Sequence, residues 1–318
     1  MNSYPTFAEL PFVDGTSERH AWTVFGHDDE LGCLNFVGPE QVVAASREVE
    51  RGRVVNLNLA LGEPQPQFWA SRPVMQHTRI VKRNVRDDEI DHLGMQTSTQ
   101  WDGLGHQRFR EHGYFGGRQE AELDRGELGI ERWAQRGMIA RGVLADVAAY
   151  QHARGEPIPQ DHRFPINAEM LSDVLRHQGT TLRPGDVLLV RTGWLRWYTT
   201  LEATRRQELA TLLAEDRTRI ALPGLDPRLD TIAWLWDNRI AATAFDNPTA
   251  ETLPYIREHG WGHIRLIALL GLPLGELWQL DDLASVCQDE GRYSFLLSAP
   301  PLNLPGGVGS PANAYAVL

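Results

Sequence analysis

Pro184-Gly185-Asp186-Val187-Leu188-Leu189-Val190 is a turn followed by four consecutive apolar residues. A run without polar alternation marks a strand covered on both faces, the central position in a sheet with helices above and below. Upstream, Asn167 caps a helix through Gln178 whose inward face is Met170, Leu171, Val174 and Leu175, and Gly179 ends it. Downstream, Leu201 to Leu213 reads as a helix, Asp226-Pro227 starts another through Asn238, and Ile240 to Phe245 is a short strand ending at Asp246-Asn247-Pro248. Strand and helix alternate around Val187, which predicts an α/β fold.

The same reading extends to both ends of the chain. Residues 1–38 carry scattered prolines and glycines and read as an N-terminal arm; Pro39 to Arg51 reads as a helix stopped by Gly52. Val54 to Leu61 alternates as a half-buried strand, with Val55, Leu57 and Leu59 inward. Pro64 to Pro73 is loop, Thr78 to Val85 a second strand, and Asp87-Asp88-Glu89 an acidic turn. Gly126 to Arg136 reads as a helix and Gly142 to Val147 as a buried strand. His263 to Leu270 is apolar and too short for periodicity to separate helix from strand; a helix is expected. Asp281 to Cys287 is the last helix, Tyr293 to Leu297 the last strand, and residues 299–318 a Pro/Gly-rich C-terminal tail. With no repeat and no low-complexity linker, residues 1–318 read as one domain with a mixed sheet flanked by helices.

Composition excludes several classes of function. At 318 residues, 42% apolar and 23% charged, the chain can bury a sizeable core. A net charge of −11 argues against nucleic acid as a partner, since phosphate binding needs clustered Lys and Arg. Two cysteines, Cys33 and Cys287, cannot build a disulfide framework or a thiolate zinc site, which fits a cytoplasmic protein. No stretch reaches the ~20 apolar residues of a membrane span. Neither a phosphate loop (G-x-G-x-x-G or G-x-x-x-x-G-K) nor a G-x-S-x-G nucleophile elbow occurs. A small-molecule substrate is the expected partner.

Gln96-Thr-Ser-Thr-Gln-Trp-Asp-Gly-Leu-Gly-His106 concentrates chemistry: Asp102 stands four residues before His106 in a glycine-containing polar run. Those two side chains suit a metal or a general acid/base pair, although a solvated turn would use the same residues. Most of the eleven histidines lie in polar surroundings. His263 instead opens an apolar segment, and Glu276 follows the Gly271-Leu-Pro-Leu-Gly275 turn. Asp102, His106, His263 and Glu276 together offer an N/O set suited to Zn²⁺ or Mn²⁺.

These residues resemble the metal-dependent cyclase/hydrolase family that includes bacterial kynurenine formamidases and isatin hydrolase, with its signature H-x-G-T-H-x-D-x-P-x-H and a later His and Glu. Thr99, Asp102 and His106 match, while Gln96, Ser98, Gln100 and Leu104 depart from it. The likeness continues at Gly185 to Trp194, Pro223-Gly-Leu225, Ala244-Phe-Asp-Asn247 and His263 to Glu276, and so spans nearly the whole chain as a divergent branch. It implies a swivelling β/β/α fold, a homo-oligomer, and metal-dependent hydrolysis of a small amide, cyclic amide or lactone. In that scheme Asp102, His263 and Glu276 are metal ligands, with Gln96 and Gln100 at two signature histidine positions. Asp102 and His106 are the catalytic residues; His106 acts as general acid/base beside a metal-activated water. Trp101, Tyr114 and Trp22 are expected pocket walls. Because an amide oxygen is a weaker donor than imidazole, one divalent ion, Mn or Zn, is expected rather than two. A metal-free lyase, isomerase or cyclase using Asp102 and His106, and a non-catalytic small-molecule binding protein, are the alternatives.

Overall fold

The computed structural model describes residues 4–68, 72 and 74–318. Residues 1–3, at the start of the expected arm, and 69–71 and 73, inside the expected Pro64 to Pro73 loop, lie outside the described residues.

The strands in chain order are β1 (Val54–Asn56), β2 (Gln76–Val81), β3 (Arg86–Asp91), β4 (Gln100–Asp102), β5 (Ile139–Asp146), β6 (Phe164–Ile166), β7 (Val187–Arg191), β8 (Pro223–Leu225), β9 (Ala242–Phe245), β10 (Leu274–Glu276), β11 (Ser294–Ser298), β12 (Gly309–Pro311) and β13 (Tyr315–Val317). Nine form one mixed sheet in the order β1-β13-β11-β5-β7-β9-β10-β4-β12. The centre, β5-β7-β9-β10, is parallel and the flanks are antiparallel. β7 lies in the middle with Val187 to Val190 almost fully buried, as the apolar run requires. The helix Ala168–His177 is capped by Asn167 Oδ1, which accepts from the Met170 amide at 2.9 Å.

Several elements differ from the sequence reading. The expected Thr78 to Val85 strand is half of an exposed hairpin, β2-β3, outside the main sheet. The acidic triplet is not a turn but part of the returning strand, where Lys82–Asp87 (3.0 Å) and His77–Asp88 (2.6 Å) pair across it. The Leu201 to Leu213 helix is Ala203–Glu215, preceded by a separate helix Trp194–Thr200. Thr199 and Thr200 donate their hydroxyls back to Leu195, Arg196 and Trp197 carbonyls, and extended Leu201 breaks the two apart. The Gly126 to Arg136 helix shortens to Glu131–Arg136 because Gly126 and Leu128 adopt positive φ. The tail folds into the sheet, since β12 pairs with β4 and β13 lies between β1 and β11.

The His263 to Leu270 segment is helical, of the wide π type over Ile264–Leu269. The N-terminal arm holds its end. Ala21 donates to the Leu269 carbonyl (2.9 Å), Trp22 Nε1 to Ala268 (2.8 Å) and Cys33 to Gly271 (2.7 Å).

Candidate functional site

Asp102 and Gln100 lie on β4, and Glu276 lies on β10 beside it. The antiparallel register sets Glu276 opposite Gln100, Gly275 opposite Trp101 and Leu274 opposite Asp102. Because side chains alternate along a strand, Gln100, Asp102 and Glu276 share one face and Trp101 points to the other. The motif is therefore not a solvated turn: Gln100 and Asp102 are each about 1% exposed. The expected pocket wall Trp101 is a core residue, fully buried, stacked edge-on against Trp278 and donating Nε1 to the Ala299 carbonyl at 3.0 Å.

His263 enters from just before the π-helix. Its Nε2 lies 3.1 Å from Glu276 Oε1 and 3.9 Å from Asp102 Oδ2. Donor atoms of Asp102, His263 and Glu276 all fall within 4.8 Å of one another. Behind His263 stands Glu251, which sequence reasoning missed. Its Oε1 lies 2.6 Å from His263 Nδ1 and accepts from the His263 amide, and Oε2 accepts from Gly262 at 2.7 Å. That carboxylate sets which ring nitrogen faces Glu276. No local pattern around Glu251 announced this role; the pairing of its segment with Leu225 on β8 holds it where it meets His263.

Burial by itself pushes the His263 pKa down, but hydrogen bonds with Glu251 and Glu276 outweigh it and hold the imidazole well above its ordinary range. Burial raises Glu276 to about 7, helped by the negative charge of Asp102 and opposed by His263. The site therefore concentrates buried carboxylates against few cations. Two buried oxygens, Asp102 Oδ1 and Gln100 Oε1, have no hydrogen-bond donor among the described residues. A buried acceptor without a donor is costly, and a cation relieves that cost. Excess negative charge, unsatisfied oxygens and an N/O donor set all fit a divalent ion.

The glutamines differ in position. Gln100 donates Nε2 to Glu276 Oε2 at 2.7 Å, so it braces a candidate ligand. Gln96 packs beneath the tail against Gly309, and its buried Nε2 has no acceptor among the described residues. His106 is 23% exposed, with Nε2 3.7 Å from Asp102 Oδ1, beyond hydrogen-bond length. Of the other expected pocket walls, Tyr114 donates to Glu120 (2.7 Å) and Trp22 clamps the π-helix while packing on His20. Neither forms a hydrogen bond or ring contact with Asp102, His263 or Glu276.

The chain belongs to the Cyclase family, whose profile, described as "Putative cyclase", matches residues 35–252. That span holds the Gln96 to His106 motif and Glu251; His263 and Glu276 lie beyond it. A crystal structure described as that of a novel cyclase is 31% identical, with a TM-score of 0.81 over 94% of this chain and 99% of that one. Isatin hydrolase A from Labrenzia aggregata shares the fold at 17% identity, TM-score 0.57, over 87% and 97% of the two chains. Isatin hydrolase A from Ralstonia solanacearum does so at 17% identity and TM-score 0.58, over 88% and 97%. No curated protein matches the chain.

Proposed function

We propose that this protein is a metal-dependent hydrolase of a small amide, cyclic amide or lactone, with one divalent ion, Mn²⁺ or Zn²⁺, held by Asp102, His263 and Glu276. The observation that carries this reading is the convergence of those donors, from separate elements, within 4.8 Å in a buried site. Membership of the Cyclase family and a fold shared with isatin hydrolases support it.

When bound, such an ion supplies Lewis acidity and lowers the pKa of water toward ~7. The chain's own residues do the rest. Glu251 orients His263, Gln100 fixes Glu276, and the buried β4-β10 face keeps bulk water from the carboxylates. In this reading His106, partly exposed with Nε2 3.7 Å from Asp102 Oδ1, passes a proton to the departing nitrogen or oxygen as the C–N or ester bond breaks.

Elemental analysis of protein purified without chelator tests the proposal. Near-stoichiometric Mn or Zn, lost in His263→Ala and Glu276→Ala, is expected; a folded wild type with no metal sinks it and favours a metal-free lyase or a binding protein. His106→Ala should abolish turnover across an amide and lactone panel while retaining metal. Loss of metal as well would make His106 a ligand.

A further inference from the structure

Phe109 and Arg110, just after His106, and residues between Tyr255 and Arg265 border a cleft of about 620 Å³. Small-molecule sites are usually ~300–1,000 Å³. Asp102, His263 and Glu276 do not line it. Its buried side is fixed by Arg265, 8% exposed, whose guanidinium is held by both Glu18 oxygens (2.6 and 2.8 Å) and by the Pro227 and His259 carbonyls (both 2.6 Å). Gly260 makes room for it, since a Cβ there would run into that guanidinium.

The outer wall is the opposite case. Tyr255 and Trp261 are 41% and 43% exposed, with ring centroids 4.9 Å apart. Neighbouring aromatic faces left in water offer a surface that a flat apolar group can cover. Charge narrows the choice further. Arg265 spends its charge on Glu18, whereas Arg110 and Arg257 have no carboxylate partner among the described residues. Glu258 is the other carboxylate on the wall, so three guanidiniums face two carboxylates in a chain of net charge −11. Arg110 also holds φ at +49°, a left-handed conformation that a non-glycine residue keeps only where its surroundings impose it.

We infer that this cleft is a small-molecule site separate from the metal group, and that it takes a flat aromatic ring carrying a carboxylate or phosphate. The ring stacks on Tyr255 and Trp261, and the anion meets Arg110 and Arg257, whose planar forks pair with either oxyanion. The inference is independent of the metal and of the reaction proposed above.

Calorimetric titration of the full chain tests it, with indole-3-acetate and phenyl phosphate as the two anions and indole and acetate as controls for each feature alone. At least one anion should bind one-to-one with a Kd at or below ~1 mM, the tighter of the two naming the group that is read. Indole and acetate should each bind at least tenfold more weakly. Arg110→Gln and Arg257→Gln should each weaken binding about tenfold or more, the usual loss for a hydrogen bond to a charged group. Trp261→Ala, at an exposed position, should do the same with an unchanged far-UV spectrum. Protein stripped with chelator should bind as tightly as untreated protein. No saturation by either anion up to ~10 mM, affinity untouched by Arg257→Gln and Trp261→Ala, or binding abolished by chelator would overturn the inference.

Discussion

Glu251 is the carboxylate that holds His263 in its place. It binds both the ring and the backbone of His263, so the imidazole reaches Glu276 and Asp102 in one orientation. Groups that orient a metal-binding histidine typically govern metal affinity by 10- to 100-fold. Glu251→Gln should therefore raise the Kd for Mn²⁺ or Zn²⁺ by roughly that factor with the fold intact, as calorimetric titration would show; unchanged affinity would remove its orienting role. A second buried carboxylate bears on stability instead. Burial raises Asp186 from 3.8 to about 6, because Arg141 is shared with Glu48 and does not offset the loss of water. With its folded pKa above its unfolded one, Asp186 favours the fold fully below about pH 4, and that contribution is lost as pH rises through 6. The loss is about 3 kcal/mol. Urea unfolding at pH 4 and pH 7 should show this fall in wild type, and Asp186→Asn should abolish its share.

The pairing of β4 with β10 is the element on which the site depends, and it tolerates little. A Cβ on Gly275 would lie 2.6 Å from Trp278 Nε1 and 2.7 Å from Ala244 Cβ, so the strand approaches its neighbours only because the residue is glycine. Gly275→Ala should cost roughly 1–3 kcal/mol by overpacking and should also weaken the proposed metal binding, since Glu276 is the next residue. Thermal unfolding and metal titration on the same variant check both. On β4, Gly275's register partner Trp101 fills the face turned away from Gln100, Asp102 and Glu276. Trp101→Ala should cost about 3–5 kcal/mol, read from urea midpoints, and a loss below 1 kcal/mol would speak against its core role and for the pocket wall expected from the sequence.

At the scale of the whole molecule, the chain's end completes what its middle begins. β13 sits between β1 and β11, and β12 covers β4 with Gly309 opposite Asp102. Ending the chain after Pro305 should leave β1 unpaired and the motif uncovered. Near-UV circular dichroism of that variant should show lost tertiary packing, whereas a native spectrum would mean the tail is dispensable. No helix among the described residues is long and apolar enough to cross a membrane.

Patterning alone determined the α/β alternation, the buried β7, the Asn167 cap, and Asp102, His263 and Glu276 as residues worth watching. Each rests on local physics: apolar runs, caps, and polar residues placed where a core would not choose them. The tertiary structure decided what local spacing does not encode. Strand register put Gln100, Asp102 and Glu276 on one face and sent Trp101 to the core. A long-range bridge brought Glu251 under His263, and the C-terminal residues joined the sheet beside the motif. These pairings join residues far apart in the chain, and their energy comes from burial and hydrogen bonds that exist only after the sheet has closed.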